Sequence, residues 1–223
     1  MSAPRPGIDV PDARGRTALD RAGRDLARNP RVRVSDVEVL ANDWGVLRRT
    51  TFDYRAGDGS WSTQRRETYD RGNGAALLLY DTDTRNVVLV RQFRYPAYVN
   101  GHPDGMLLEL PAGLLDEDGP EDAVRREVEE ETGYRVGEVQ QLYATVMSPG
   151  SVTETLHVYA APYSPADRVS AGGGVDEGED IEVVELAFDE ALAMVRGGGI
   201  VDAKTILALQ WAALDGPFAA TMP

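Results

Sequence analysis

The chain contains no cysteine, so neither a disulfide framework nor a thiolate zinc site is open to it. It also lacks an excess of basic charge: 23 Lys and Arg stand against 37 Asp and Glu, for a formal net charge of -14. A surface that holds DNA, RNA or anionic lipid needs net positive potential, so the expectation is no nucleic acid and no membrane among the partners. Long apolar runs are missing too. The opening stretch MSAPRPGIDVPDARGR offers nothing like the core of a secretory signal, and no later segment approaches the roughly 20 apolar residues of a membrane span. A cytoplasmic location is the resulting expectation. Histidine is scarce: His102 and His157 are the only two, neither has a motif partner, and structural or solvent-facing roles are expected for both.

What is present suits one sizeable core with a small extra lobe, since 42% of the 223 residues are hydrophobic. Residues 1–30 begin Pro-, Gly- and Arg-rich and have few apolar groups to offset ordering entropy, which predicts a mobile tail. Within them Leu19, Ala22 and Leu26 recur at helical spacing from Thr17 to Asn29 until Pro30, which predicts a short helix. From Val32 to Asp70 the segments VRVSDVEVL, GVLRRTTFDYRA and STQRRETYD alternate in the manner of strands and are parted by turn signals such as Gly57-Asp58-Gly59. They predict an antiparallel β lobe over residues 31–70.

Residues 71–216 read as the main domain. AALLLYD and NVVLVRQFRY, joined by Thr82-Asp83-Thr84-Arg85, are apolar enough for strands buried on both faces. GMLLELPAG reads as a further strand, followed by EVQQLYATV, ETLHVYAAP and EDIEVVELAF. DEALAMVRGG and DAKTILALQWAALDG then show helical periodicity. Strands gathered in this way around one central helix favour an α+β sandwich over a doubly wound parallel sheet.

The central helix carries the chemistry. The stretch PAGLLDEDGPEDAVRREVEEETGY runs from Pro111 to Tyr134, out of a strand and through a loop. Pro120 suits the first helical turn, where its missing N–H would have no partner, and Glu121 and Asp122 complement the positive end of the helix dipole. Gly133 supplies the stop. At about 100° per residue, Glu130 and Glu131 fall within about 60° and 40° of Glu127, so three carboxylates share a face beside Arg126, while Glu129 points elsewhere. Crowded carboxylates repel one another and rise in pKa unless a cation compensates, and all-oxygen ligands suit Mg²⁺ or Mn²⁺. The plainer alternative is a solvated acidic helix face.

The nine residues from Arg126 to Tyr134, REVEEETGY, resemble the second half of the Nudix box, REUxEExGU, where U is apolar or aromatic. The first half departs from that pattern: the loop between Gly113 and Arg126 is one residue short, and Asp118 stands where the family has Glu. No role is assigned to Asp118. Beyond the box, ETYDRGNGA, VVLVRQFRYPAYVNG, AGLLD, ETGYRVGEV, MSPGSVTE and GGGVDEGEDIEV resemble the bacterial GDP-mannose pyrophosphatase branch of the Nudix hydrolases, over roughly Val32 to Leu214. The implied fold is a Nudix α/β/α sandwich with a mixed sheet plus the small N-terminal β lobe. The implied reaction is Mg²⁺-dependent hydrolysis of a nucleoside diphosphate sugar, GDP-mannose giving GMP and mannose 1-phosphate.

The resemblance also implies roles. The Ala112 carbonyl, Glu127 and Glu131 would hold metal, with Glu130 assisting or positioning water. Glu179, in the acidic loop, would be a metal ligand or water-activating base, and Glu154 competes for the role of base. Arg94 would meet the substrate diphosphate, where a guanidinium offers paired donors, and Lys204 would be a further substrate contact. In the family the small lobe exchanges across a homodimer, so Trp44, Arg65, Arg66 and Glu67 would reach the partner's nucleotide or sugar. Without the family, a lone Trp near a turn is more often a packing residue. Two other activities stay open at this point: ADP-ribose hydrolysis to AMP and ribose 5-phosphate, and a nucleotide-sugar sensor that binds without cutting. The intact Glu127, Glu130 and Glu131 count against the sensor.

Overall fold

The computed structural model describes residues 3–21, 26–115, 119–174 and 180–219. The chain divides into two compact units, residues 1–72 with 146–154, and residues 73–145 with 155–223.

The first unit is built on an antiparallel sheet of β1 (Val32–Asn42), β2 (Val46–Arg55) and β3 (Trp61–Asp70), in that order. The turn between β2 and β3 is closed by Asp58, whose carboxylate accepts from the Ser60 N–H at 2.9 Å. The segment MSPGSVTE, read as part of the main domain, contributes its residues from 147 onward to this unit, and Ser151 and Thr153 bond the backbone of Tyr69. The helix expected over Thr17–Asn29 is not formed among the described residues. Ala18 has a φ of 55°, a left-handed value no helix contains, and what remains is a 3-10 turn at Leu26–Arg28. Nor is the stretch before it a tail without contacts. Asp9 pairs with Arg5 at 2.8 Å and Asp12 with Arg16 at 2.8 Å, and Leu19 is buried.

The second unit comprises, in chain order, β4 (Gly74–Asp81), β5 (Asn86–Phe93), α1 (Tyr95–Val99), β6 (Met106–Glu109), β7 (Ala112–Leu114), α2 (Pro120–Thr132), β8 (Gln140–Val146), β9 (Thr155–Pro162), β10 (Glu182–Ala187), α3 (Phe188–Gly197) and α4 (Ala203–Leu214). The strands form a mixed seven-stranded sheet of order β10-β5-β4-β9-β8, with β6 on β5 and β7 on β4. β4 and β9 run parallel, while β4–β5, β4–β7, β5–β6 and β5–β10 are antiparallel.

Leu77, Leu78 and Leu79 of β4 and Val87 to Val90 of β5 are fully buried, as their unbroken apolar runs require. Ala75, Leu77, Leu79 and Val88 pack with Val124 and Val128 of α2. Alternation then turns Ala76 and Leu78 to the opposite face, and α4 lies against β4 and β9 while α3 lies against β5 and β10. The result is the α/β/α sandwich. GMLLELPAG, expected as one strand, is two: Pro111 cannot donate to a ladder, so pairing stops after β6 and resumes on a different neighbour as β7. That switch of partner sets β7 beside α2.

Candidate active site

Helix α2 starts and stops where its sequence dictates. Pro120 occupies the first turn with Glu121 and Asp122, and Gly133 ends the helix at a left-handed φ of 77°, its N–H donating to the Glu129 carbonyl. The buried positions Ala123, Val124 and Val128 fix its rotation against the sheet, and that rotation aims the glutamates.

Two of them meet β7. Glu131 is only 5% exposed, and its carboxylate accepts from the Ala112 N–H at 3.0 Å. Glu127 lies against the bare Cα of Gly113: a Cβ there would stand 2.1 Å from the Glu127 carboxyl carbon, so only glycine permits this approach. Burial pushes the Glu131 carboxyl up to about 8, and the charges of Glu127 and Glu109 push the same way against the Ala112 N–H and Arg94. A divalent cation would reverse that penalty, and the donors are all oxygen, so the chemistry of the pair fits Mg²⁺ or Mn²⁺. Among the described residues, no three carboxylates or histidines converge closely enough to hold a metal by side chains alone. The expected ligand set reaches beyond side-chain carboxylates of α2, to the Ala112 carbonyl and to Glu179. Glu179 and Asp118 lie outside the described residues.

Glu130 lines a cleft of about 570 Å³ with Arg125, Arg126, Glu129 and Arg135. Glu129 is turned to Arg135 at 2.7 Å, which holds its carboxyl below the usual range. The glycine run before the acidic loop is anchored on this helix: the Gly173 N–H donates to the Glu131 carbonyl at 2.8 Å and the Gly174 N–H to the Glu130 carbonyl at 3.1 Å. Backbone groups that a helix end leaves without partners are thus satisfied, and the root of the acidic segment that carries Glu179 is tied to the glutamates' own helix turn.

A second network lies close enough for its charges to be felt at Glu131. Glu109, 2% exposed, accepts from Arg94 Nε at 2.6 Å and from Lys204 Nζ. Lys204, 9% exposed, also pairs with Asp202 at 3.0 Å, and Asp202 caps α4 through the Thr205 N–H. Lys204, expected to touch substrate, therefore has its ammonium engaged by two carboxylates inside the protein. Arg94 keeps an accessible side chain, 40% exposed. Sequence reasoning passed over Glu109; its signal was a lone acid within the apolar run MLLEL.

The first unit holds the other expected residues. Arg65, Arg66 and Glu67 of β3 are exposed and, with Arg49, Gly150 and Ser151, line an open cleft of about 650 Å³. Glu67 accepts from Arg49 at 3.0 Å. Trp44 is 55% exposed, with the Arg71 guanidinium 5.7 Å from its ring centre, and Arg71 pairs with Glu154 at 3.3 Å. Glu154, the competing base, is thus engaged within this unit.

Comparison with known proteins agrees with this architecture. The family model "NUDIX domain" matches residues 70–196, and "GDP-mannose pyrophosphatase NudK N-terminal domain" matches residues 31–69. A GDP-mannose pyrophosphatase of Klebsiella pneumoniae is 52% identical over 179 residues, 80% of this chain and 90% of that protein. One of Yersinia enterocolitica is also 52% identical, over 80% of this chain and 93% of its own length. The solved structure of an ADP compounds hydrolase superposes with a TM-score of 0.62 at 18% identity, covering 84% of this chain and 97% of that one, which is a likeness of fold. The chain belongs to the Nudix hydrolases, in the family of the GDP-mannose pyrophosphatases. It is a pyrophosphatase enzyme of that fold.

Proposed function

We propose that the protein hydrolyses the diphosphate bond of GDP-mannose with Mg²⁺ or Mn²⁺, releasing GMP and mannose 1-phosphate, with water as nucleophile. The observation that carries this reading is the Glu127 and Glu131 pair pressed on β7, one of its carboxylates buried and penalised for its charge. Relatives named GDP-mannose pyrophosphatase, about half identical over most of the chain, support the choice of substrate. Glu127, Glu131, the Ala112 carbonyl and Glu179 would hold the metal. When bound, it neutralises phosphate oxygens and lowers the pKa of a water.

The chain's own groups do the rest. Arg94, steered by Glu109, offers its guanidinium to the diphosphate oxygens. Lys204 holds Glu109 in place from behind and so acts through Arg94. Glu130, Glu154 and Glu179 are the candidate bases, of which Glu154 is paired with Arg71. The protein works in the cytoplasm as a homodimer, in which Trp44, Arg65, Arg66 and Glu67 read the nucleotide sugar on the partner's site; all four lie in the stretch that matches the family's N-terminal domain.

Product analysis tests the reading. GDP-mannose and ADP-ribose are incubated separately with purified protein, each with Mg²⁺ and with a chelator. Metal-dependent GMP from the first and little AMP from the second is expected. AMP in place of GMP would transfer the protein to ADP-ribose hydrolysis, and no product from either would leave the sensor.

A further inference from the structure

Several contacts of the segment before the family's N-terminal domain, which matches from residue 31, gather at the turn that carries Trp44. Asn42, the last residue of β1, is gripped from both sides of its amide. Its Nδ2 donates to the Pro6 carbonyl at 3.3 Å, and its Oδ1 accepts from Arg16 at 3.0 Å. Arg14 donates to the carbonyl of Trp44 itself at 2.9 Å. Arg48 of β2 donates to the Leu19 carbonyl at 2.9 Å while pairing with Asp70, which closes the segment over the hairpin. Packing is tight where the segment crosses: at Gly7, with φ of 75°, a Cβ would stand 2.1 Å from Asn42 Nδ2 and 2.9 Å from Leu19 Cδ1. On the other side, Gly45 presses on Tyr69, whose ring would lie 2.5 Å from a Cβ at that position.

A turn tip is ordinarily among the most mobile parts of a lobe, and an exposed aromatic there is a poor stacking platform unless its backbone is held. We infer that residues 3–19 are a strap that fixes the Asn42–Gly45 turn, so that Trp44 meets the nucleotide sugar already positioned. Arg14 and Arg16 are positioning residues on this reading. The inference rests on the assignment of Trp44 to substrate, and it adds a determinant of affinity from residues that precede the matched N-terminal domain.

The test uses the full chain with Arg14→Ala and Arg16→Ala combined, and separately Gly7→Val, which wedges the strap away without removing a charge. Amide hydrogen exchange of residues 42–46 is followed without substrate, and KM and kcat are measured with GDP-mannose, alongside Trp44→Ala. Faster exchange in the turn is expected for both strap variants. KM should rise about fivefold with kcat within about twofold of the parent, as for one or two lost hydrogen bonds that act on binding alone. Arg14→Lys, which can still donate to the Trp44 carbonyl, should keep KM near the parent. Unchanged exchange would overturn the strap. Faster exchange with an unchanged KM would also overturn the inference. In that case a raised KM in Trp44→Ala would locate the fault in the strap, and an unaffected Trp44→Ala would locate it in the assignment of Trp44.

Discussion

Helix α2 and strand β3 both present several charged residues in a row, and they use them in opposite ways. On α2, Glu131 is buried, its charge is disfavoured, and Glu127 is held by a close fit to Gly113. On β3, Arg65, Arg66 and Glu67 stand in solvent around an open cleft. Buried charges without a matching cation are costly, so they persist where a cation or reaction uses them. Exposed charges cost little and are suited to recognising a mobile, highly charged substrate. The contrast is in keeping with the proposal that α2 carries the chemistry and β3 reads the substrate.

Four changes would break or sharpen that contrast. The largest effect belongs to Glu131→Gln, which removes a ligand charge without changing shape: metal-dependent kcat should fall about 100- to 1,000-fold in steady-state assays, in keeping with the several kcal/mol a metal supplies. The far-ultraviolet circular dichroism should be unchanged. Next is Gly113→Val, whose side chain would displace the Glu127 carboxyl; a loss of about tenfold to 100-fold in kcat is expected, with the protein still folded.

A third concerns pH. The Glu131 carboxyl sits near 8 in the fold against an ordinary value near 4.5, so between those limits the folded state keeps a proton that the unfolded chain has lost. Its contribution to stability is fully present below about pH 4.5 and is lost as pH rises toward 8. In thermal melts of the protein with chelator, Tm should decline across that window relative to Glu131→Gln, and added Mg²⁺ should flatten the decline. The smallest effect is expected from Arg65→Ala or Arg66→Ala: KM raised about three- to tenfold, more so at low salt, with kcat and Tm unmoved.

The two regions were also unequally legible. The limits of α2 follow from Pro120 and Gly133, and the common face of its glutamates from their spacing, because a helix converts sequence spacing into angle by a fixed rule. The three-stranded lobe and the buried β4 and β5 were readable from alternation and from unbroken apolar runs. Glu109 between Arg94 and Lys204 escaped because it depends on distant partners. The division of GMLLELPAG at Pro111, the short helix α1 and the i,i+4 Arg–Asp pairs of the N-terminal segment also went unread.

The most direct measurement is Mn²⁺ binding, by titration followed by electron paramagnetic resonance, to the parent protein and to Glu131→Gln without substrate. Binding by the parent, weakened at least about tenfold in the variant, is expected if the pair on β7 is the metal's seat. Equal Mn²⁺ affinity in the two proteins would contradict it.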